Sequence, residues 1–81
     1  MIQDFKIGVI GLGYVGLPVA VIFSRKFSVI GYDINKNRVD SLNKFHDTTL
    51  ELSKNQLKKA LKSNLTISNS YTDLEFCNFY I

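Results

Sequence analysis

Three glycines within six residues, Gly11-Leu12-Gly13-Tyr14-Val15-Gly16, separate two short apolar runs, and this arrangement constrains the fold more than any other feature of the chain. The run before them, Phe5-Lys6-Ile7-Gly8-Val9-Ile10, reads as a buried parallel strand. After them, Val15, Leu17, Val19, Ala20, Val21, Ile22 and Phe23 make a helix that is apolar nearly all round. Pro18 falls in its first turn, where a missing N–H costs no helical bond. Ser28-Val29-Ile30-Gly31-Tyr32 is a second strand, closed by Asp33. Strand, helix and strand therefore fill the first 33 residues, the length of one parallel crossover unit.

Asn35 is placed to cap a helix through Asn43 that carries Val39 and Leu42 on one side. Residues 44–52, with His46, Asp47, Thr48 and Thr49, break periodicity and predict a loop. Ser53 and Gln56 have capping-box spacing for a helix over Lys54 to Lys62, whose apolar stripe is Leu57, Ala60 and Leu61. Leu65-Thr66-Ile67-Ser68 alternates as a third strand, Asp73 to Phe76 predicts one helical turn, and Phe79-Tyr80-Ile81 opens a fourth, buried strand. Tyr71, Tyr80 and the six phenylalanines sit at core-like spacings. The expected class is α/β, the first half of a doubly wound parallel sheet, or partial Rossmann fold, with strand order 3-2-1-4. Because residues 79–81 break off inside a strand, residues 1–81 are expected to be the N-terminal part of such a domain, truncated in strand 4.

Composition removes several function classes. At 46% hydrophobic and 21% charged the chain is ordinary globular protein. No apolar run approaches the roughly 20 residues of a membrane span, and the opening lacks the pattern of a secretory signal. The lone Cys77 cannot form an internal disulfide, which fits a reducing cytoplasm. The net charge of +3 is spread over Lys54, Lys58, Lys59 and Lys62 among polar residues, a solvated helix face rather than a nucleic-acid stripe. His46 is the sole histidine and has no companions at ligand spacing, so no metal site is expected.

A glycine triplet alone is weak evidence, but here a strand precedes it, a helix follows it, and an acid ends the next strand. Gly11 permits the tight turn, Gly13 lets a pyrophosphate approach the backbone, and Gly16 lets the helix pack closely on the sheet. The helix N-terminus supplies N–H groups and partial positive charge, so the backbone of Leu12, Tyr14 and Val15 joins the three glycines in the candidate site. Asp33, 22 residues after Gly11, is placed to accept from ribose hydroxyls, and its charge would repel a 2′-phosphate, which favours NAD over NADP. A turn serving packing alone would have no use for that acid. Arg38, five residues on, is a surface helix cation or a flank for the adenosine; an arginine that took a 2′-phosphate would argue for NADP instead. Cys77 reads as a small core hydrophobe, not a nucleophile.

The stretch Lys6-Ile7-Gly8-Val9-Ile10-Gly11-Leu12-Gly13-Tyr14-Val15-Gly16-Leu17-Pro18 resembles the opening of the UDP-glucose/GDP-mannose dehydrogenase family. The likeness continues through Gly31-Tyr32-Asp33-Ile34-Asn35-Lys36-Asn37-Arg38-Val39, Asp47-Thr48-Thr49-Leu50-Glu51 and Cys77-Asn78-Phe79-Tyr80-Ile81, and so covers essentially the whole chain. The middle segment and the ending are most similar to bacterial UDP-N-acetylhexosamine 6-dehydrogenases of surface-polysaccharide synthesis, capsule and O-antigen included. The resemblance implies oxidation of a UDP-sugar C6 hydroxyl to a carboxylate with two NAD, in a homodimeric parent with central and UDP-sugar domains that this chain lacks. It also implies that Arg38 contacts NAD and that the catalytic cysteine and acid/base groups lie downstream, leaving no catalytic residue here. The alternative from another class is a regulatory NAD-sensing module, which needs strand, glycine turn and acid but no nucleophile.

Overall fold

The computed structural model describes residues 5–47 and 52–81. Its elements run β1 (Lys6–Ile10), α1 (Gly16–Ser24), β2 (Ser28–Tyr32), α2 (Lys36–Asn43), α3 (Lys54–Lys62), β3 (Leu65–Ser68), a 3-10 helix (Tyr71–Phe76) and β4 (Phe79–Tyr80). All strand pairings are parallel, in the order β3-β2-β1-β4 that the crossover pattern predicts. Register aligns Ile7 with Val29 and Leu65, and Val9 with Gly31 and Ile67. Since side chains alternate along a strand, these residues share one face of the sheet, and all six are buried.

That face carries the core. Leu17, Ala20 and Val21 of α1, Val39 and Leu42 of α2, and Leu57 and Ala60 of α3 pack onto it. The helices form for the reasons their sequences suggest. Asn35 accepts the Arg38 N–H through its side chain at the start of α2. In the box that opens α3, the Gln56 N–H donates to Ser53 Oγ at 3.1 Å and the Ser53 N–H donates to Gln56 Oε1 at 2.9 Å. The other face of the sheet is covered differently. Leu74 of the 3-10 helix and the Tyr80 ring lie against Gly8, where a Cβ would meet both at 3.0 Å.

Three expectations need correction. The aromatic residues do not build the core: Phe23 and Phe27 pack at its margin, while Phe5, Tyr71, Phe76, Phe79 and Tyr80 are exposed. The helical layer occupies one face and is filled by aliphatic side chains, whereas these five rings lie on β4, on the 3-10 helix and at the start of β1. For the same reason β4 is an exposed edge strand, not a buried one, with β1 as its sheet neighbour. On α1, the apolar Ile22 is likewise more than half exposed. Finally, the last helical turn starts at Tyr71 rather than Asp73 and is 3-10, closed by a bond from the Asp73 N–H to the Ser70 carbonyl.

The end of α2 has no sequence warning. The Phe45 N–H donates to the Leu42 carbonyl and the His46 N–H to the Ser41 carbonyl, both at 2.9 Å, in the paired pattern of a Schellman cap. Phe45 takes the left-handed position, φ 66°, that glycine usually fills. Removing the α3 cap is a clean check on helix energetics. Ser53→Ala is expected to cost about 1 kcal/mol, read as a lower denaturant midpoint at unchanged slope.

Candidate functional site

The residues singled out at the glycine turn, Asp33 and Arg38 come together at the carboxyl ends of β1 and β2. Gly11 leaves β1 with φ +93°, a conformation L side chains rarely adopt, and its N–H donates to the Tyr32 carbonyl at 2.8 Å. Gly16 opens α1 directly above that turn. A Cβ there would lie 1.8 Å from the Gly11 carbonyl oxygen, so only glycine fits. Gly13 is different in kind. It has no positive φ, and a Cβ added to it would meet nothing within 4 Å. Neither backbone conformation nor internal packing asks for a glycine at that position.

Leu12 is the pivot of the turn. Its side chain is fully buried and presses on Gly31, where a Cβ would meet Leu12 Cδ2 at 3.0 Å. Its N–H donates to Asp33 Oδ2 at 2.9 Å, and its carbonyl accepts from Arg38 Nε at 2.9 Å and Nη2 at 2.6 Å. Asp33 Oδ1 accepts the Asn35 N–H at 2.9 Å, so the same carboxylate ties the glycine turn to the start of α2. Asp33 therefore has an internal use even with no ligand, and its presence does not by itself separate a packing turn from a cofactor turn. Gly13, by contrast, is exposed and has no internal use among the described residues.

Arg38 is not a free surface cation. Besides gripping Leu12, it donates from Nη1 to Asp47 Oδ1 at 2.9 Å, and its side chain is 11% exposed against 0% for Asp47. Asp47 Oδ2 accepts the Leu52 N–H at 3.0 Å. Sequence reading placed Asp47 in a polar loop and missed this role, because an acid nine residues from its arginine has no periodic signature. The rest of the segment singled out there, residues 48–51, lies outside the described residues.

At the mouth of the turn, Tyr14 and Val15 are exposed, and Ile34 beside Asp33 is 84% exposed. No described side chain caps α1, and no acid lies in its first turn, so its leading N–H groups keep their positive end open to an anion. Cys77 is buried at 7% exposure, and burial pushes its thiol up from the ordinary value, opposed by a smaller pull from the Lys6 charge. That keeps the thiol protonated and unreactive, as a packing residue should be. Among the described residues no His, Cys, Asp and Glu group could hold a metal ion, and no helix is long and apolar enough to cross a membrane.

The sequence and the fold are shared with known proteins. The family model for the UDP-glucose/GDP-mannose dehydrogenase family, NAD binding domain, matches residues 5–81. The chain belongs to that family. It is 46% identical over 79 residues to a UDP-N-acetyl-D-glucosamine 6-dehydrogenase of Pseudomonas aeruginosa, which covers 98% of this chain and 18% of the relative. A UDP-N-acetyl-D-glucosamine 6-dehydrogenase of Salmonella typhi is 41% identical over 80 residues, 99% of this chain and 18% of the relative. The solved UDP-D-ManNAc dehydrogenase of Pyrococcus horikoshii superposes with a TM-score of 0.87 at 32% identity, over 94% of this chain and 19% of that one. The chain thus spans about a fifth of the length of the dehydrogenases it matches.

Within this family domain the three glycines can be separated experimentally. Gly16→Ala is expected to lower the melting temperature sharply or abolish the cooperative transition, because backbone must move to relieve the contact with Gly11. Gly13→Ala is expected to stay within about 1 kcal/mol of the parent, as read by thermal melts of the two variants side by side.

Proposed function

We propose that the turn from Gly11 to Gly16 holds the pyrophosphate of NAD, with the backbone of Leu12, Gly13, Tyr14 and Val15 and the open N-terminus of α1 facing the phosphates. The observation that carries this reading is Gly13: the space its missing side chain leaves is used by nothing among the described residues. A nucleotide pyrophosphate brought against the backbone is what such a space suits. Asp33 is the acceptor for the adenosine ribose hydroxyls, using lone pairs beyond those that bind Leu12 and Asn35. The exposed Ile34 offers the adenine an apolar surface. Arg38 serves the same half-site by fixing the Leu12 carbonyl and placing a positive charge beside the turn.

When bound, NAD supplies a hydride acceptor. The whole enzyme is proposed to oxidise the C6 hydroxyl of a UDP-sugar to a carboxylate. This is a four-electron change that reduces two NAD in succession, with water providing the second oxygen. Similarity to two UDP-N-acetyl-D-glucosamine 6-dehydrogenases supports a UDP-N-acetylhexosamine as the sugar. We place the reaction in bacterial surface-polysaccharide synthesis, such as capsule or O-antigen, in the cytoplasm and in a homodimer. In this reading residues 1–81 are the N-terminal part of the NAD-binding domain, and the groups that bind the sugar and move its protons belong to the remainder of the enzyme. The family match across residues 5–81 favours this reading over a sensing module.

Calorimetry tests the cofactor assignment. Gly13→Val is expected to retain the parent's melting behaviour yet weaken NAD by at least about tenfold, a loss of roughly 1.4 kcal/mol. NAD binding unchanged by Gly13→Val would remove the turn from the site.

A further inference from the structure

Asp33 and Arg38 hold the two ends of one residue. The carboxylate takes the Leu12 N–H and the guanidinium takes the Leu12 carbonyl, so an anion and a cation stand within one residue's length of each other at the adenosine side of the turn. In dinucleotide sites an arginine beside the ribose-binding acid is the group able to accommodate a 2′-phosphate. Here that arginine is engaged elsewhere. Two of its nitrogens are spent on Leu12 and a third on Asp47, whose side chain is fully buried and whose other oxygen is held by the Leu52 N–H.

We infer that Asp47 is a positioning residue that sets cofactor selectivity through Arg38: it holds the guanidinium against the glycine turn, so that the cation cannot turn outward to meet a 2′-phosphate. The inference rests on the NAD reading above and extends it. Selectivity then has two parts, repulsion by Asp33 and retention by Asp47. Turning Arg38 toward a 2′-phosphate would break its ion pair with the buried Asp47 carboxylate. Breaking a buried pair by withdrawing one partner is strongly destabilising, and this cost opposes the turn. The fold delivers Asp47 to this place through the Schellman cap of α2. With Phe45 in the left-handed conformation, the chain reverses and the acid two residues later returns to the arginine in the helix's first turn.

The test is calorimetric titration of the whole enzyme that carries residues 1–81, and of its variants, with NAD and with NADP, each variant first checked by thermal melt. The parent is expected to bind NAD more tightly than NADP. Asp47→Asn keeps the shape and one acceptor but removes the charge. It is expected to narrow the ratio of the NADP and NAD Kd values by about tenfold, the scale of one charge-assisted contact. Adding Arg38→Gln to Asp47→Asn should restore the parent ratio, because the gain runs through the arginine. A purely structural Asp47 would weaken both cofactors alike and leave the ratio unmoved, and that result overturns the inference while sparing the NAD reading. A parent chain that binds neither cofactor overturns both. If Asp47→Asn fails to fold, Asp33→Ser reads the same point. With Arg38 still retained, NADP should not overtake NAD, and if it does the inference falls.

Discussion

The structure turns on the way Leu12 is held. Its side chain sits in the aliphatic core under Gly31, while its N–H and its carbonyl are taken by Asp33 from the end of β2 and by Arg38 from the first turn of α2. A single residue thereby belongs to the hydrophobic core and to the polar framework of the site at once. This joins two kinds of energy that usually act apart. Burial fixes where the turn lies, to within the tolerance of close packing. The charged hydrogen bonds then fix which way its peptide groups point, which burial alone cannot do.

Much of this architecture was legible because its signals are local. The glycine turn, Asn35 before α2, and Ser53 with Gln56 before α3 each act within a few residues, and the structure places the helices and the third strand where those signals lie. The candidate site residues from Gly11 to Asp33 were legible for a related reason: one crossover unit brings them together, and Asn35 starts the helix that carries Arg38. What escaped depends on chain reversal or on layer order. Phe45 occupies a position for which glycine is the usual sign, so the turn that returns Asp47 to Arg38 left no mark. The aromatic residues were misread because spacing along the chain says which side a residue faces, not whether anything covers that side.

The two faces of the sheet show the same distinction physically. Ile7, Val9, Val29, Leu65 and Ile67 are buried because three helices lie over them. On the opposite face the 3-10 helix is moored to Gly8 through Leu74 and Tyr80, and the Tyr80 hydroxyl donates to the Leu74 and Cys77 carbonyls, closing the turn on itself. The polar tip of Tyr80 thus ties β4 to the connection that precedes it.

The three glycines of the turn carry different obligations, and that has an evolutionary consequence. Gly11 and Gly16 are demanded by the fold, through a positive φ in one case and a backbone contact in the other. Nothing among the described residues constrains Gly13. As far as these residues go, what binds there is the remaining ground on which selection can act. In a lineage that kept this fold but abandoned its nucleotide, Gly11 and Gly16 would persist while Gly13 drifted, so the middle glycine records whether the site is still in use.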